Sequence, residues 1–290
     1  MSLFKAKDTL FCKKSTLNCG GRLVSLEVPL VMGILNATPD SFYANSRVSN
    51  LDMTLTRAGQ MLADGATFLD IGGYSTRPGA PEVSEQEELD RVLPVIEAVA
   101  QAYPEALISV DTFRARVARE AAQKGAHIIN DVSGGSLDEG MLETIGRLGI
   151  PYILMHMRGT PQTMASYTEY PNGLLEELIS YFTEKIARLR ALGVKDILLD
   201  PGFGFAKTMD QNYFLLNHLR ELEMLELPLL IGLSRKGMIY KPLQVTPAEA
   251  LPGTIVANTL ALLNGANILR VHDVKEAAQT IQLVEKTRTA

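Results

Sequence analysis

The chain has 290 residues, of which 46% are hydrophobic and 21% charged, with a formal net charge of −5. This composition indicates a soluble globular protein with a sizeable core, and it provides no general basic field that would attract nucleic acid. The two cysteines, Cys12 and Cys19, are too few for a disulfide framework, and no apolar run reaches transmembrane length, so we expect no membrane partner and a cytoplasmic location.

Residues 1–27 are predicted to form a small hairpin that caps the rest of the fold, with its turn at residues 18–21. Short apolar runs typical of buried strands follow at 29–36, 67–73, 107–112, 127–133, 152–157, 197–202, 228–234 and 268–273. Amphipathic helical patterns separate them, at 84–103, 114–125, 174–193, 248–264 and 275–287. The first of these helices opens with a capping box, Ser84 and Glu87, and its Pro94 predicts a kink or a split.

Eight strands alternating with helices over about 250 residues predict an α/β protein, a (β/α)8 TIM barrel. We expect a single domain spanning residues 1–290, with the hairpin at 1–27 and the barrel at 28–290. A doubly wound open sheet is the other arrangement of such units, but no G-x-G-x-x-G follows the first predicted strand.

Every predicted strand ends in a polar or ionisable residue, at the face where barrels build active sites. In chain order these are Asn36, the Thr76–Arg77 loop, Asp111, Asn130, His156, Asp200, Ser234 to Lys236, and Arg270 with His272. Each alone is an ordinary turn-forming residue, but eight on one face indicate a ligand site.

The strand-end residues divide by chemistry. Asp111, Asn130 and Asp200 suit a flat heterocycle rich in N–H donors; the alternative, a carboxylate metal cage, needs more anionic oxygens. A second group is cationic and indicates a phosphate or diphosphate ligand, the alternative being pairing with rim carboxylates: Arg77, Lys236, Arg270 and His272. Asn36 could help hold a Mg²⁺ ion that accompanies the diphosphate.

Two turn-rich segments, 36–50 and 158–173, are predicted to be long loops. Long loops in a compact domain are commonly lids or binding loops, and the first carries Phe42 and Tyr43 for ligand contact. The second is equally well explained as a surface loop.

A series of motifs between about residues 28 and 275 closely resembles those of the dihydropteroate synthase family, in the family's order: GILNATPDSF, DIGGYSTRPGA, SVDT, IINDVSGG, LMHM, LLDPGFGF, LIGLSRK and ILRVHDV. The resemblance implies condensation of 6-hydroxymethyl-7,8-dihydropterin diphosphate with 4-aminobenzoate to give 7,8-dihydropteroate and diphosphate, a step of folate biosynthesis. It also implies a (β/α)8 fold, dependence on Mg²⁺ and a homodimer. Loss of diphosphate before attack by the amine is the mechanism that we expect.

Site roles follow from the same resemblance. The pterin is expected to contact Asp111, Asn130, Met155, Asp200, Phe205 and Lys236, although Met155 and Phe205 are equally explained as core. The diphosphate is expected to contact Asn36, Thr76, Arg77, Arg270 and His272, with Asn36 also the metal ligand; the alternative role of Arg77 is to help arrange the closed loop. The aminobenzoate is expected to contact Phe42, Thr76, Pro78, Ser234 and Gly237, its carboxylate meeting the start of a helix. The residues expected to act in catalysis are Lys236, Asp111, Asp200, Arg270 and His272.

Two positions depart from the family's common pattern. Tyr74 stands where a glutamate is common, and Gly237 stands where many members have a serine. The second departure removes a hydroxyl contact to the aminobenzoate carboxylate, so we expect altered affinity rather than lost activity.

Two other functions are compatible with a pterin pocket. A pterin-dependent methyltransferase domain has no diphosphate to bind, which would leave the cationic group without a purpose. A catalytically silent pterin-binding homologue would be expected to have lost its loop and diphosphate residues, whereas every assigned position here carries suitable chemistry.

Overall fold

The computed structural model describes residues 14–37, 47–75 and 81–290. Its strands are β1 (Thr16–Cys19), β2 (Arg22–Ser25), β3 (Leu30–Asn36), β4 (Phe68–Gly72), β5 (Leu107–Asp111), β6 (Ile128–Asp131), β7 (Tyr152–Met155), β8 (Ile197–Asp200), β9 (Leu229–Ile231) and β10 (Ala266–Val271). Strands β3 to β10 form a closed barrel in which β10 pairs in parallel with both β3 and β9. The predicted (β/α)8 barrel is therefore confirmed.

Helices lie between the barrel strands and cover their outer faces. They are α1 (Arg47–Ala63), α2 (Glu85–Ala102), α3 (Ala115–Gln123), α4 (Met141–Leu148), α5 (Leu174–Ala191), α6 (Met209–Asn217), α7 (Gly237–Leu243), α8 (Leu251–Leu263) and α9 (Val274–Thr289). Because α1 begins at Arg47, the loop predicted at 36–50 is too long at its C-terminal end, and its residues 38–46 lie outside the described part of the chain. Among the described helices, none has the length and apolar character needed to cross a membrane.

Helix α2 begins as predicted and continues where a break was considered. The hydroxyl of Ser84 accepts a hydrogen bond from the backbone N–H of Glu87, whose carboxylate accepts one from the N–H of Ser84. The predicted split at Pro94 is wrong, since one helix spans Glu85–Ala102. Pro94 is exposed, so the carbonyl that loses its partner can be hydrated while the buried face, with Val92 and Ile96, packs on the barrel.

The barrel interior is closed at the N-terminal end of its strands by apolar side chains. Alternation along each strand places one residue of every strand in this layer: Met32, Phe68, Leu107, Ile128, Ile153, Leu198, Leu230 and Ile268. Leu17, Cys19 and Leu26 of the antiparallel β1–β2 hairpin pack into the same cluster. The hairpin therefore caps this end, as predicted, and leaves the opposite end for a site; residues 1–13 of the predicted cap lie outside the described residues.

Candidate active site

Polar side chains occupy the next inward-facing position of several strands, two residues after the apolar layer. Asp70, Asn130, Asp200 and Arg270 each follow an inward-facing apolar residue of their own strand by two positions and so point into the interior. The first three are almost completely buried. Since all parallel strands end at the same face, these groups converge at one mouth of the barrel.

Arg270 links two carboxylates at this mouth. Its Nε donates to Asp70 Oδ2 and its Nη2 donates to Asp111 Oδ2, each at 2.6 Å. Asn130 Nδ2 donates to the same Asp70 oxygen at 3.1 Å. Strands β4, β5, β6 and β10 thus contribute to one hydrogen-bonded network.

Burial makes this network sensitive to pH. It raises the pKa of Asp111 from 3.8 to about 7, because desolvation and the nearby Asp70 carboxylate outweigh the attraction of Arg270. The carboxyl group of Asp111 therefore changes its charge near neutral pH, which is the range in which enzymes place groups that exchange protons.

Lys236 lies on the other side of the mouth, above the end of β8. Its ammonium donates to the carbonyl oxygen of Phe203 and lies 4.8 Å from the centre of the Phe205 ring. Burial lowers the pKa of Lys236 to about 8, and the charge of Asp200 opposes this shift. Burial also raises the pKa of Asp200, although Lys236 and the N–H of Gly202 favour its charged form.

The segment from Asp200 to Lys207 is held by a buried lysine. Lys207 Nζ donates to the carbonyl oxygens of Gly202 and Phe205 and to His156 Nδ1, over 3.1, 3.2 and 3.1 Å respectively. Gly202 has φ of +72°, and a Cβ there would lie 2.1 Å from the carbonyl oxygen of His156, so only glycine fits.

His156 belongs to this support and not to the pocket, which corrects its place among the strand-end candidates. Its ring packs edge-on against Tyr181 of α5, with 4.9 Å between ring centres. Burial beside Lys207 lowers the pKa of His156 to about 2, so the neutral imidazole accepts the lysine's hydrogen bond.

The Ser234–Lys236 turn is backbone-strained and anchored to the end of β10. Arg235 has φ of +55°, which is unfavourable for a residue with a side chain. Its guanidinium binds both carboxylate oxygens of Asp273, at 2.9 and 2.7 Å. Ser234 Oγ lies 3.0 Å from His272 Nδ1 and accepts the backbone N–H of His272. These contacts bring Ser234, Lys236 and His272 to the same rim.

Met155 and Phe205 contribute to an apolar cluster at this end of the barrel, together with Val132, Met157, Met164, Ala206, Phe113 and Leu137. Met155 is buried, whereas Phe205 is half-buried below the Lys236 ammonium. Phe205 is thus placed to contact a ligand that also reaches Lys236.

The remaining predicted site residues divide into two groups. Asn36 is exposed at the end of β3, and Gly237 is the first residue of α7. The others lie outside the described residues: Phe42, Tyr43, Thr76, Arg77 and Pro78.

Tyr74, the first departure from the family pattern, connects three loops of this face. Its hydroxyl accepts a hydrogen bond of 2.8 Å from Gln162, and its ring meets the edge of Phe113 with 5.1 Å between centres. The guanidinium of Arg114 lies 5.5 Å from the centre of the Tyr74 ring. Tyr74 therefore links the β4–α2 segment to the loops that follow β5 and β7.

Two residues of the site were not predicted from the sequence, Asp70 and Lys207, and Arg235 was included in the Ser234–Lys236 stretch without a role. Asp70 carried a detectable signal, a carboxylate inside the apolar run at 67–73. Lys207 carried no such signal, and the sequence did not indicate that Arg235 binds Asp273, because these partners meet only in the fold.

Comparison with known proteins agrees with this geometry. The family model described as pterin binding enzyme matches residues 32–272. The dihydropteroate synthase of Escherichia coli K12 is 47% identical over 272 residues, covering 93% of this chain and 95% of that protein. The dihydropteroate synthase of Synechocystis is 45% identical over 258 residues, covering 88% of this chain and 89% of that protein.

Solved structures of relatives share the whole fold. The Yersinia pestis dihydropteroate synthase in a sulfonamide drug complex superposes with a TM-score of 0.88 at 48% identity, over 95% of this chain and 100% of the other. The Xanthomonas albilineans dihydropteroate synthase with 4-aminobenzoic acid superposes with a TM-score of 0.87 at 37% identity, over 95% and 99%. The chain belongs to the pterin-binding enzyme family, and within it to the dihydropteroate synthases.

Proposed function

We infer that the protein condenses 6-hydroxymethyl-7,8-dihydropterin diphosphate with 4-aminobenzoate to form 7,8-dihydropteroate and diphosphate. The observation that carries this inference is the convergence of acceptors and cations at one mouth of the barrel. The acceptors are Asp111, Asn130 and Asp200, and the cations are Lys236 and Arg270. The similarity to dihydropteroate synthases over most of the chain supports the same reaction.

We assign the pterin to the interior of the mouth. Its amino-pyrimidine edge presents N–H donors, and the carboxylates of Asp111 and Asp200 with the amide of Asn130 would accept them. Lys236 would contact the ring from the rim, and Phe205 would pack on it beside the lysine ammonium. Met155 would form the apolar floor.

The diphosphate would lie toward the end of β10, where Arg270 and His272 can stabilise its departing charge. The bond from the pterin methylene to the diphosphate oxygen breaks first, and the resulting cation is delocalised over the pterin beside Asp111 and Asp200. The aminobenzoate nitrogen then attacks the methylene to form the new C–N bond, and it releases one proton to water. Thr76 and Arg77 complete the diphosphate contacts in this proposal.

Mg²⁺ is the metal that we propose for the diphosphate. Among the described residues, no three histidine, cysteine or acidic side chains group to hold a metal by themselves. Mg²⁺ commonly takes one or two protein oxygens and completes its shell with phosphates and water, which the exposed Asn36 at the end of β3 suits. When bound, the ion would balance charge on the diphosphate. Diphosphate should bind more weakly to an Asn36→Ala variant with Mg²⁺ present, and equally to both proteins without it.

The aminobenzoate would bind at the rim between the Ser234–Lys236 turn and the start of α7. Ser234 and the backbone N–H of Gly237 are the described groups available to it. Phe42, Thr76 and Pro78 complete the site in this proposal. A sulfonamide should therefore compete with aminobenzoate for this rim, in line with the sulfonamide drug complex of the Yersinia pestis relative.

A direct test measures diphosphate released by the purified protein with Mg²⁺ and pterin diphosphate, with and without aminobenzoate. Release that requires both substrates supports the synthase. Pterin binding without release would indicate a silent homologue, and methyl transfer from a methylated pterin would indicate the methyltransferase alternative. Asp200→Ala and Lys236→Ala should abolish product formation in a folded protein, whereas Asp210→Ala, at an exposed position of α6, should not. Near-normal turnover by Asp200→Ala would contradict the assignment.

We also propose a homodimer, formed through α8. Val256, Leu260 and Leu263 are 60, 44 and 41% exposed at a helical spacing, which leaves an apolar stripe on a helix that also packs on the barrel. Sedimentation of the wild type should give the mass of two chains, and Leu260→Glu should shift it toward one. The cytoplasmic location stays a prediction.

A further inference from the structure

We propose that Asp70 is a positioning residue of the pterin pocket, which fixes the amide of Asn130 and the guanidinium of Arg270 in the orientations that bind the two halves of the substrate. The proposal rests on the reaction inferred above and concerns a residue that does not itself reach the ligand.

Asp70 lies below the mouth and acts through its neighbours. It pairs in register with Ser109, two residues before Asp111 on the adjacent strand, and its side chain has no exposed surface. A substrate at the mouth would meet Asp111 and Arg270 first. Asp70 can therefore affect binding only through the side chains that it holds.

The contact between Asp70 and Asn130 determines whether the amide of Asn130 presents a hydrogen-bond acceptor or a donor to a ligand. A side-chain amide has an acceptor on one branch and donors on the other, and the two branches have nearly the same shape. Because Asn130 Nδ2 donates to Asp70 Oδ2, Asn130 Oδ1 is the branch left to accept from a ligand. Together with the carboxylates of Asp111 and Asp200, this selects a ligand edge made of N–H donors.

The contact between Asp70 and Arg270 keeps the guanidinium in place when a ligand displaces the second contact, the one between Arg270 and Asp111. Arg270 Nε binds Asp70, while Nη2 binds Asp111. A pterin that engages Asp111 competes for the second contact, and the first contact then holds the arginine where its Nη groups face the diphosphate. Asp70 thereby couples recognition of the pterin to recognition of the diphosphate.

Burial of the Asp70 carboxylate in a barrel core is energetically unfavourable. Its Oδ1 is buried and has no hydrogen-bond partner among the described residues. Its neighbours in the preceding layer are all apolar, and a residue needed only for packing would be apolar as well. The carboxylate is better explained by the two side chains that it orients.

Calorimetric binding of pterin diphosphate in the presence of Mg²⁺ tests the proposal without requiring turnover. Asp70→Asn keeps the shape and removes the charge, and we expect binding weaker by about tenfold or more, since hydrogen bonds to charged groups are the strong ones. The KM for pterin diphosphate should rise, and the KM for aminobenzoate should stay within about threefold. Asp131→Asn is the matched control: Asp131 is equally buried on β6, but it binds Tyr152 and Ser133 instead of the pocket network. This control should lose stability and keep its pterin affinity.

Exchanging the two groups gives a second test. Asn130→Asp alone places two carboxylates side by side, which repel each other. In the variant that combines Asp70→Asn with Asn130→Asp, the amide at position 70 donates to the carboxylate at position 130, and that carboxylate keeps an oxygen that accepts from the ligand. The double variant should bind pterin diphosphate better than Asn130→Asp, and this comparison remains informative if Asp70→Asn does not fold. Wild-type affinity in Asp70→Asn, or additive losses in the double variant, would overturn the proposal. Failure of the wild type to form product would instead contradict the proposed function.

Discussion

The substitution Lys207→Met tests two consequences of burying this lysine: the hydrogen bonds that hold the pocket segment, and the dependence of stability on pH. Methionine has about the same length and lacks the ammonium, so the carbonyl oxygens of Gly202 and Phe205 and the imidazole of His156 lose their shared donor. The segment that carries Phe205 to the pocket is then less well held. We expect pterin affinity to fall by about tenfold, because three hydrogen bonds worth about 0.5–1.5 kcal/mol each are lost.

The effect on stability should depend on pH. Burial lowers the pKa of Lys207 from 10.5 to about 7, so the unfolded chain keeps a proton in this range that the folded protein releases. Wild-type stability therefore rises with pH between 7 and 10.5 through this residue, by about 1.36 kcal/mol for each pH unit. Methionine removes this dependence. From pH 7 to pH 9 the wild type should gain about 2 kcal/mol relative to Lys207→Met.

Urea unfolding followed by circular dichroism at pH 7 and pH 9 measures the difference. Lys14→Met is the control, since Lys14 donates to the carbonyl of Lys195 and pairs with Asp196 at the N-terminal end of β8, away from the pocket. That variant should keep its pterin affinity. If the stability difference between wild type and Lys207→Met were the same at both pH values, the burial argument for Lys207 would be refuted.

Three further predictions concern the rim. The kcat/KM for pterin diphosphate should have a bell-shaped dependence on pH. It should fall below about pH 7, where Asp111 takes up a proton, and above about pH 8, where Lys236 loses one. Lys236→Arg should remove the decrease at alkaline pH, and a flat profile of the wild type would contradict the prediction. The side chain introduced by Gly237→Ser should fit without steric conflict, because the nearest atom to an added Cβ is Lys241 Cε at 3.5 Å. Thermal unfolding should show that the variant is more stable than the wild type by about 0.5 kcal/mol, and the KM for aminobenzoate should fall. Arg235→Lys should reduce kcat/KM by about tenfold with unchanged circular dichroism, since lysine cannot bind both oxygens of Asp273 and the strained turn loses its anchor.

Much of the fold could be predicted from local pattern. The apolar runs correspond to strands, since a strand buried on both faces needs apolar residues at successive positions. The capping box at Ser84 and Glu87 could be recognised because both partners lie within four residues. The split considered at Pro94 was wrong, because the effect of a proline depends on which face of the helix it occupies, and Pro94 lies on the exposed face.

The candidate site was predictable in its residue types and less so in its contacts. Residues at strand ends share one face by the geometry of a parallel barrel, so Asp111, Asn130 and Asp200 could be grouped from the sequence. His156, another of the strand-end candidates, lies outside the pocket, because one further position along a strand turns a side chain from the interior to the helical layer.

The barrel, its capping hairpin and the polar chemistry of one end can be read from the amino-acid order, since each depends on composition and spacing within short segments. Which charges pair depends on the folded arrangement. Arg270 lies 200 residues from Asp70 and 159 from Asp111, and no local pattern encodes that these three meet. The pKa values of Asp111 and Lys236 depend on the burial and neighbours created by that meeting, so they too belong to the folded barrel.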